Sequence, residues 1–288
     1  MATAVHQPPP DPPELPEGVD PSPRWPAWYA LAGFGVFLIL TLISQSLLFA
    51  VTGTELDDPD PAVTVVGTML MGAVAIGTAT LFASFAARPR PSHFGLRKAP
   101  FWPTVGWAAL GMVCFYVFAA VYGAAVQPDV EQSVTESLGA DEGTLGLVAA
   151  GFVVICIAPI AEEIFFRGFI YRALRGRFSV LVAALIDGLV FGIIHYEACE
   201  EADRACSAAD GLLLVPPLGV LGVIFCLVYE RTGSLFPVIG LHALNNALAF
   251  GVQAEGWEVT AVLGPVMLAA CALVPRFVGT GPQPAAAR

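Results

Sequence analysis

Eight long apolar segments, separated by short polar stretches, dominate the pattern of hydrophobic and polar positions along the chain. A helix of ~20 apolar residues crosses the ~30 Å hydrocarbon core of a bilayer. The segments cover residues 28–51, 62–87, 104–126, 145–166, 179–195, 212–228, 235–253 and 257–274, and the fourth continues as helix to about Arg175. The pattern therefore predicts an all-α, polytopic transmembrane helical bundle of about eight spans, with both termini on one side.

Composition supports a membrane location and narrows the range of partners. Hydrophobic residues make up 56% and charged residues 13% of the 288 positions, and the mean hydropathy is +0.72. A soluble domain carries about 25% charged residues, so the chain is predicted to be an integral membrane protein. The net charge of −11 and the lack of a basic face exclude nucleic acid as a partner.

The loops between the apolar segments differ in the sign of their charge. With a cytoplasmic N-terminus, twelve of the thirteen basic residues lie on or near the cytoplasmic side, and only Arg204 lies outside. The opposite loops are acidic, around residues 55–60, 129–142, 197–210 and 255–258. Because cytoplasmic loops are enriched in Lys and Arg, this distribution predicts a multi-pass protein of the cell membrane with N- and C-termini in the cytoplasm.

The two ends of the chain are predicted to be tails that flank one membrane domain. Residues 1–26 hold nine prolines and four acidic residues, with no basic segment and no early apolar run. This composition predicts a disordered cytoplasmic tail and argues against a cleaved signal peptide. Residues 27–275 form the predicted membrane domain, and residues 276–288 form a short C-terminal tail.

The six cysteines divide by position. Four lie inside apolar segments, where a free cysteine behaves as a small hydrophobic residue. Cys199 and Cys206 share the third outer loop, where a disulfide and two free thiols both fit the sequence. Without neighbouring histidines, the two make a poor zinc site.

Polar and ionisable residues are concentrated in three of the apolar segments. An ionisable group in hydrocarbon costs at least ~2.5–3.5 kcal/mol, so each one is a candidate functional residue. The fourth segment carries Glu162, Glu163 and Arg167, the fifth carries Asp187 and His195, and the seventh carries His242, Asn245 and Asn246. These residues are the candidates for a site inside the membrane.

The adjacent glutamates are predicted to differ in role. Neighbours on a helix point ~100° apart, whereas residues four apart share a face. Arg167 follows Glu163 by four positions, so Glu163 is expected to form an ion pair with it. Glu162 then lacks a local partner and is the candidate base that takes a proton from water. The alternative is a pair of glutamates satisfied wholly by contacts within the bundle.

The fourth and fifth helices are expected to bring Glu162 and His195 to one depth. A short turn at residues 176–179 makes the helices antiparallel neighbours, and this turn contains the midpoint between positions 162 and 195. Asp187 lies on the same face of the fifth helix as His195, where a second, structural ion pair with Arg167 is expected.

Two further patterns concern the packing of other helices around this pair. Gly188 and Gly192, four residues apart, permit close approach of another helix. His242 and Asn246 share a face of the seventh helix and are candidate donors to a developing oxyanion.

The depth of His242 is left open by the sequence. It lies ~10 Å from the start of its helix, whereas His195 lies ~24 Å from the start of the fifth helix. Either the fourth and fifth helices project beyond the seventh, or the seventh helix, which begins near Pro237, starts deeper in the membrane.

Three short motifs on these segments resemble a known family. They are EEIFFR at 162–167, FGIIH at 191–195 and HALNN at 242–246, and the segment YERTGSL at 229–235 precedes the third. Together, over residues 145–251, they resemble the CAAX-processing and bacteriocin-processing (CPBP, or Abi) family of intramembrane endopeptidases, which includes the type II CAAX prenyl endopeptidase. The acidic loop after the second motif is longer than is usual in that family.

The resemblance implies an endopeptidase that cleaves membrane-associated or lipidated protein substrates in the bilayer. Glu162 would activate water, His195 would hold or polarise that water, and His242 with Asn246 would stabilise the oxyanion. Glu163 and Arg167 would shape the site. The family is commonly labelled a metalloprotease, and Glu162, His195 and His242 are a potential zinc ligand set. No HExxH helix is present, and a mechanism that requires no cofactor is favoured.

Two other classes of function use the same residues differently. A proton-coupled transporter or channel would use them as a relay, although no internal repeat with paired broken helices is evident. A non-catalytic membrane scaffold or immunity protein would carry the motifs without activity.

Overall fold

The computed structural model describes residues 25–55, 59–126, 134–196 and 212–278. Within these ranges the regular secondary structure is helical, which confirms the all-α prediction. The described residues contain eight long helices: α1 Trp28–Thr52, α2 Pro61–Ser84, α3 Phe101–Val126, α4 Thr144–Arg175, α5 Val180–Ile194, α6 Val215–Thr232, α7 Phe236–Gln253 and α8 Trp257–Leu273.

Six of these helices are long and apolar enough to cross a membrane, so the protein is a multi-pass membrane protein. They are α1 to α4, α6 with the turn before it, and α8 with the turn after it. The predicted number of eight spans is not confirmed. Helix α5 has only 15 residues, and α7 carries the polar residues His242, Asn245 and Asn246 among its 18 residues.

Several predictions concern residues outside the described ranges. These residues are almost all of the predicted N-terminal tail, residues 279–288 of the C-terminal tail, and the acidic loop with Cys199 and Cys206. The tails and the disulfide therefore stay predictions.

Helix α4 lies at the centre of the bundle because neighbours cover both of its sides. On one side the rings of Phe37 in α1 and Phe165 in α4 are 4.6 Å apart. On the other side Phe166 contacts Phe191 of α5 edge to face, at 5.3 Å between centroids. Helix α4 thus carries Glu162 and Glu163 between these two sets of helices, with Glu162 facing a cavity and Glu163 fully buried.

The packing around Gly168 resolves the open question about the depth of His242. A Cβ atom built on Gly168 would lie 3.2 Å from the Leu235 side chain, which directly precedes α7. Helix α7 therefore begins at the level of Gly168, and α4 continues ~10 Å further to Arg175. Since α5 starts beyond Arg175, α4 and α5 project past the start of α7.

Helices α5 and α6 pack in close contact through glycine, as the spacing of Gly188 and Gly192 predicts. A Cβ atom on Gly188 would lie 2.6 Å from the backbone oxygen of Gly219, and one on Gly192 would lie 2.5 Å from that of Val215. No side chain fits at these positions unless the two backbones move apart.

Replacement of Gly188 by alanine is expected to lower the stability of the bundle. Overpacking of this kind costs ~1–3 kcal/mol, which thermal unfolding in detergent can measure. Gly77→Ala is the matched control, because a Cβ atom at Gly77 in α2 meets nothing within 4 Å. Equal midpoints for the two variants would contradict the close packing of α5 and α6.

Helix α5 ends, and helix α6 begins, at the level of Glu162. We call this end of the two helices, marked by Ile194 and Val215, the low edge. Helix α5 ends one residue before His195 and α6 begins at Val215, beside Gly192. In contrast, α4 runs ~27 Å beyond Glu162 to Thr144. Among the described residues, the helical wall around the candidate residues is therefore much lower at α5 and α6 than at α4.

Candidate active site

Glu162 lies between two histidines contributed by different parts of the chain. Its Oε2 atom is 3.9 Å from Nε2 of His195, at the C-terminus of α5, and 3.7 Å from Nε2 of His242 in α7. The Glu162 and His195 side chains are 20% and 26% exposed, whereas His242 is 4% exposed. The predicted equal depth of Glu162 and His195 is confirmed, and His242 joins them.

The hydrogen bonds of the two imidazole rings fix which nitrogen faces Glu162. Nδ1 of His195 is 2.7 Å from the Phe191 carbonyl oxygen, and Nδ1 of His242 is 2.8 Å from Oε1 of Glu163. Both partners are acceptors, so each Nδ1 carries the hydrogen. In the neutral rings each Nε2 then directs a lone pair towards Glu162.

Oε2 of Glu162 is buried and has no hydrogen-bond partner. Three acceptors, this oxygen and the two Nε2 atoms, therefore face one small space. Acceptors that converge in this way require a donor between them, and a water molecule supplies two hydrogens. The arrangement is suited to holding one water molecule against a carboxylate.

The predicted pairing of Glu163 with Arg167 is confirmed. Nη1 of Arg167 donates to Oε1 of Glu163 at 2.8 Å, and both side chains are fully buried. The expected second ion pair is present as well, with 3.4 Å between Nε of Arg167 and Oδ2 of Asp187. Arg167 also donates to the Gly222 carbonyl oxygen at 3.1 Å. One guanidinium thus joins α4, α5 and α6 beneath the two histidines.

Asn246 makes a backbone contact that sequence reasoning missed. Its Nδ2 atom donates to the Val154 carbonyl oxygen of α4 at 2.9 Å. This carbonyl lies in a π-helical turn, Val153–Ile157, and Pro159, five residues further on, has no N–H to offer it. One amide hydrogen of Asn246 is therefore used to satisfy α4, and the other remains for a ligand.

Asn245 is a second polar residue at the site. Its Oδ1 atom is 3.4 Å from the Tyr116 hydroxyl, and its Nδ2 atom is 3.5 Å from Oδ1 of Asn246. Asn245 was among the candidate residues, but it lies ~100° around the helix from Asn246, so helical periodicity alone gave it no role beside His242 and Asn246.

A cavity of about 390 Å³ contains these groups and extends away from them along the bundle. Its walls are mainly apolar and come from α1, α2, α4, α5, α6 and α7 and from the short helix Val134–Ser137. Members of the lining include Phe37, Met71, Thr135, Leu138, Glu162, Phe191, His195, Leu218, His242, Asn245, Asn246 and Gln253. The cavity is large enough for a few side chains, and its ionisable groups, Glu162, His195 and His242, lie close together.

Glu162, His195 and His242 are spaced more widely than the donor atoms around a single zinc ion. Zinc binds histidine nitrogen at about 2.0–2.1 Å, so two donors on one tetrahedral ion lie about 3.4 Å apart. The separations of 3.9 and 3.7 Å are wider. In the part of the chain that the structure describes, no group of three or more His, Cys, Asp or Glu side chains is spaced to hold a metal ion.

Comparison with known proteins gives matches to part of the chain. The chain is 34% identical over 102 residues to "Uncharacterized protein YyaK" of Bacillus subtilis (strain 168), covering 35% of this chain and 32% of that protein. It is 28% identical over 151 residues to "Uncharacterized 24.3 kDa protein" of Escherichia coli, covering 51% and 64%. It is 30% identical over 99 residues to "Putative membrane peptidase YdiL" of Bacillus subtilis (strain 168), covering 34% and 35%.

The chain thus spans less than two thirds of the length of each of these relatives. No solved structure matches it. Residues 144–248 match the family model described as Type II CAAX prenyl endopeptidase Rce1-like, and this range contains all three motifs. The resemblance indicated by those motifs is confirmed: the part of the chain that holds Glu162, His195 and His242 is similar to the Rce1-like type II CAAX prenyl endopeptidases.

Proposed function

We propose that the protein is an intramembrane endopeptidase that hydrolyses peptide bonds of membrane-associated or lipidated protein substrates. One observation carries this proposal: an unpaired carboxylate oxygen of Glu162 faces two imidazole Nε2 atoms at the polar end of an apolar cavity. The Rce1-like family match supports a CAAX-type membrane protease.

In the proposed reaction, Glu162 acts as general base. A water molecule between Glu162 and His195 gives one proton to the carboxylate as its oxygen attacks the scissile carbonyl carbon. The carbonyl oxygen becomes an oxyanion in a tetrahedral intermediate. Glu162 then transfers its proton to the amide nitrogen, the carbon–nitrogen bond breaks, and the carboxylate is regenerated.

The oxyanion needs N–H donors, and two side chains are placed to supply them. Asn246 has one amide hydrogen left after its bond to the Val154 carbonyl. Nε2 of His242 lies 3.7 Å from Oε2 of Glu162 and would act as a donor when both ring nitrogens carry hydrogen. Donors fixed in a low-dielectric site stabilise such charge strongly.

We propose that the site is reached from the non-cytoplasmic side of the membrane. The cavity extends from Glu162 towards Thr135 and Gln253, at the end of the bundle where the described acidic residues Asp60, Glu142 and Glu255 lie. The basic residues Arg175 and Arg177 lie at the opposite end, which the positive-inside rule assigns to the cytoplasm.

Cysteine labelling in intact cells tests this orientation. In a background without native cysteines, Glu142→Cys is expected to react with a membrane-impermeant maleimide, and Arg177→Cys is expected to react only after the cells are opened. Both positions are exposed. The reverse pattern would invert the proposed topology.

The activity itself is tested with detergent-purified full-length protein. A lipidated C-terminal peptide and a library of membrane-protein segments are incubated with it, and the products are identified by mass spectrometry. Cleavage that persists after chelation is expected. Loss of cleavage on chelation, with recovery on adding zinc, would contradict the metal-free mechanism and indicate a metal-dependent one. Proton flux in proteoliposomes without cleavage would favour the transporter alternative.

A further inference from the structure

A second buried carboxylate, Asp187, lies one layer below the proposed catalytic residues. It is on α5, two turns before His195, and is fully buried. Its Oδ2 atom is 3.4 Å from Nε of Arg167 and accepts a hydrogen bond from the Cys226 thiol at 3.0 Å. Its Oδ1 atom is buried without a hydrogen-bond partner. The three sequence motifs do not include Asp187 or Cys226.

Asp187 connects to His242 through a chain of direct contacts. Arg167 joins Asp187 to Glu163, and Oε1 of Glu163 accepts from both Nη1 of Arg167 and Nδ1 of His242, at 2.8 Å each. Asp187, Arg167 and Glu163 are fully buried, and the His242 residue as a whole is 3% exposed. No solvent therefore screens the charges along it.

The charges of these contacting side chains explain why a second carboxylate affects His242. Arg167 is shared by two carboxylates, so its positive charge is divided between Glu163 and Asp187. Glu163 therefore retains the negative character that makes it a strong acceptor for the N–H of His242. If Asp187 were neutral, Arg167 would pair with Glu163 alone and would weaken the bond between Glu163 and His242.

The geometry of the Arg167 guanidinium gives a second reason why Asp187 affects His242. The Cζ atom of Arg167 is 4.4 Å from the centre of the Phe191 ring and 5.2 Å from that of Phe225. These rings restrict its plane, and Asp187 together with the Gly222 carbonyl restricts its rotation within that plane. Asp187 is thus one of the contacts that aim Nη1 at Glu163.

We infer that Asp187 is a positioning residue, which acts through Arg167 and Glu163 to hold the ring orientation and tautomer of His242; the catalytic part of this inference rests on the proposed function. A role in stability alone would not predict an effect on His242. Buried ion pairs are weak evidence of stabilisation, because the cost of desolvation offsets much of the attraction.

Asp187→Asn is the test, because asparagine keeps the shape of the side chain and removes its charge. The matched control is Glu230→Gln, which also removes the charge of an arginine's carboxylate partner, here a part-buried one. Glu230 pairs with Arg175 at 3.0 Å and accepts from Tyr171 at 2.8 Å, at the far end of α6. Glu230 has no path to His242 through the contacts described above.

The first readout is ¹⁵N NMR of the histidine rings in detergent, which needs no substrate. The chain has four histidines, His6, His93, His195 and His242, so His242→Gln assigns the relevant resonances. Asp187→Asn is expected to shift the Nδ1 and Nε2 resonances of His242, and Glu230→Gln is expected to leave them in place. Unchanged His242 resonances in Asp187→Asn, or equal shifts in both variants, would overturn the inference.

The second readout is kinetic and uses a substrate found in the cleavage assay. Changes in residues behind a catalytic group typically cost about 10–100-fold in activity. Asp187→Asn is expected to lower kcat within this range and leave KM unchanged, whereas Glu230→Gln leaves kcat unchanged. An unchanged kcat in Asp187→Asn would contradict the inference. If the wild-type protein cleaves nothing, the proposed function fails, but the NMR experiment still decides whether Asp187 positions His242.

Discussion

Replacing Glu162 by glutamine is expected to reduce kcat/KM by about 10²–10⁴-fold, the usual contribution of a general base. Glutamine has nearly the shape of glutamate but cannot accept the proton that water must lose. Among the described residues Glu162 forms no ion pair with Arg or Lys, and its Oε2 atom has no hydrogen-bond partner there. The substitution should therefore remove cleavage and leave folding intact, which rates and thermal unfolding of the same purified sample can measure.

Glu142→Gln is the matched control for this experiment. Glu142 is exposed and lies just before α4, the helix that carries Glu162. The control is expected to keep full activity. If Glu162→Gln cleaved a verified substrate at the wild-type rate, the assignment of Glu162 as the base would be wrong.

Replacing Arg167 by methionine is expected to cause the largest loss of stability among single substitutions in this site. Methionine is of similar length and fills the space between Phe191 and Phe225, but it leaves Glu163 and Asp187 buried without a cation. Breaking a buried ion pair by removing one partner costs about 3–5 kcal/mol. The free energy of unfolding, measured in mixed micelles with a denaturing detergent, reports this loss.

Two further variants show whether the lost charge causes the loss of stability in Arg167→Met. Arg177→Met, at an exposed position, is expected to unfold like the wild type. A triple variant with Arg167→Met, Glu163→Gln and Asp187→Asn removes the buried charges together and is expected to recover much of the stability. If Arg167→Met alone unfolded like the wild type, the buried ion pairs would contribute nothing to the fold.

The sequence predicted those parts of the site that depend on spacing within one helix or one hairpin. The interval of four between Glu163 and Arg167 predicted their ion pair, which is present at 2.8 Å. The short turn between α4 and α5 predicted that Glu162 and His195 lie at one depth. Both inferences use only the rise and twist of a helix, which tertiary packing changes little.

The sequence did not predict the relative height of α7. That height depends on long-range contacts of the segment just before α7 with residues more than a hundred positions earlier. The backbone N–H of Leu235 donates to the Gly95 oxygen at 2.8 Å, and the Ser234 hydroxyl donates to the Arg97 oxygen at 2.6 Å. Helical periodicity carries no information about such contacts.

The contact between Asn246 and Val154 was missed for a related reason. It depends on a carbonyl group that a π-helical turn and Pro159 leave without its usual partner. Proline at this position indicates a disturbed helix, but only the fold shows which side chain reaches the free oxygen. The apolar cavity walls, such as Phe37 and Met71, carry no signal that separates them from ordinary lipid-facing residues.

The low edge has a consequence for the lipid around the protein. Helix α5, with 15 residues, is ~22 Å long, less than the ~30 Å of a typical hydrocarbon core. Lipids beside a short hydrophobic wall adapt by local thinning of the bilayer. If Glu162 is the catalytic base proposed above, headgroups and their hydration shell at the level of His195 would give hydrolytic water a lateral route to it.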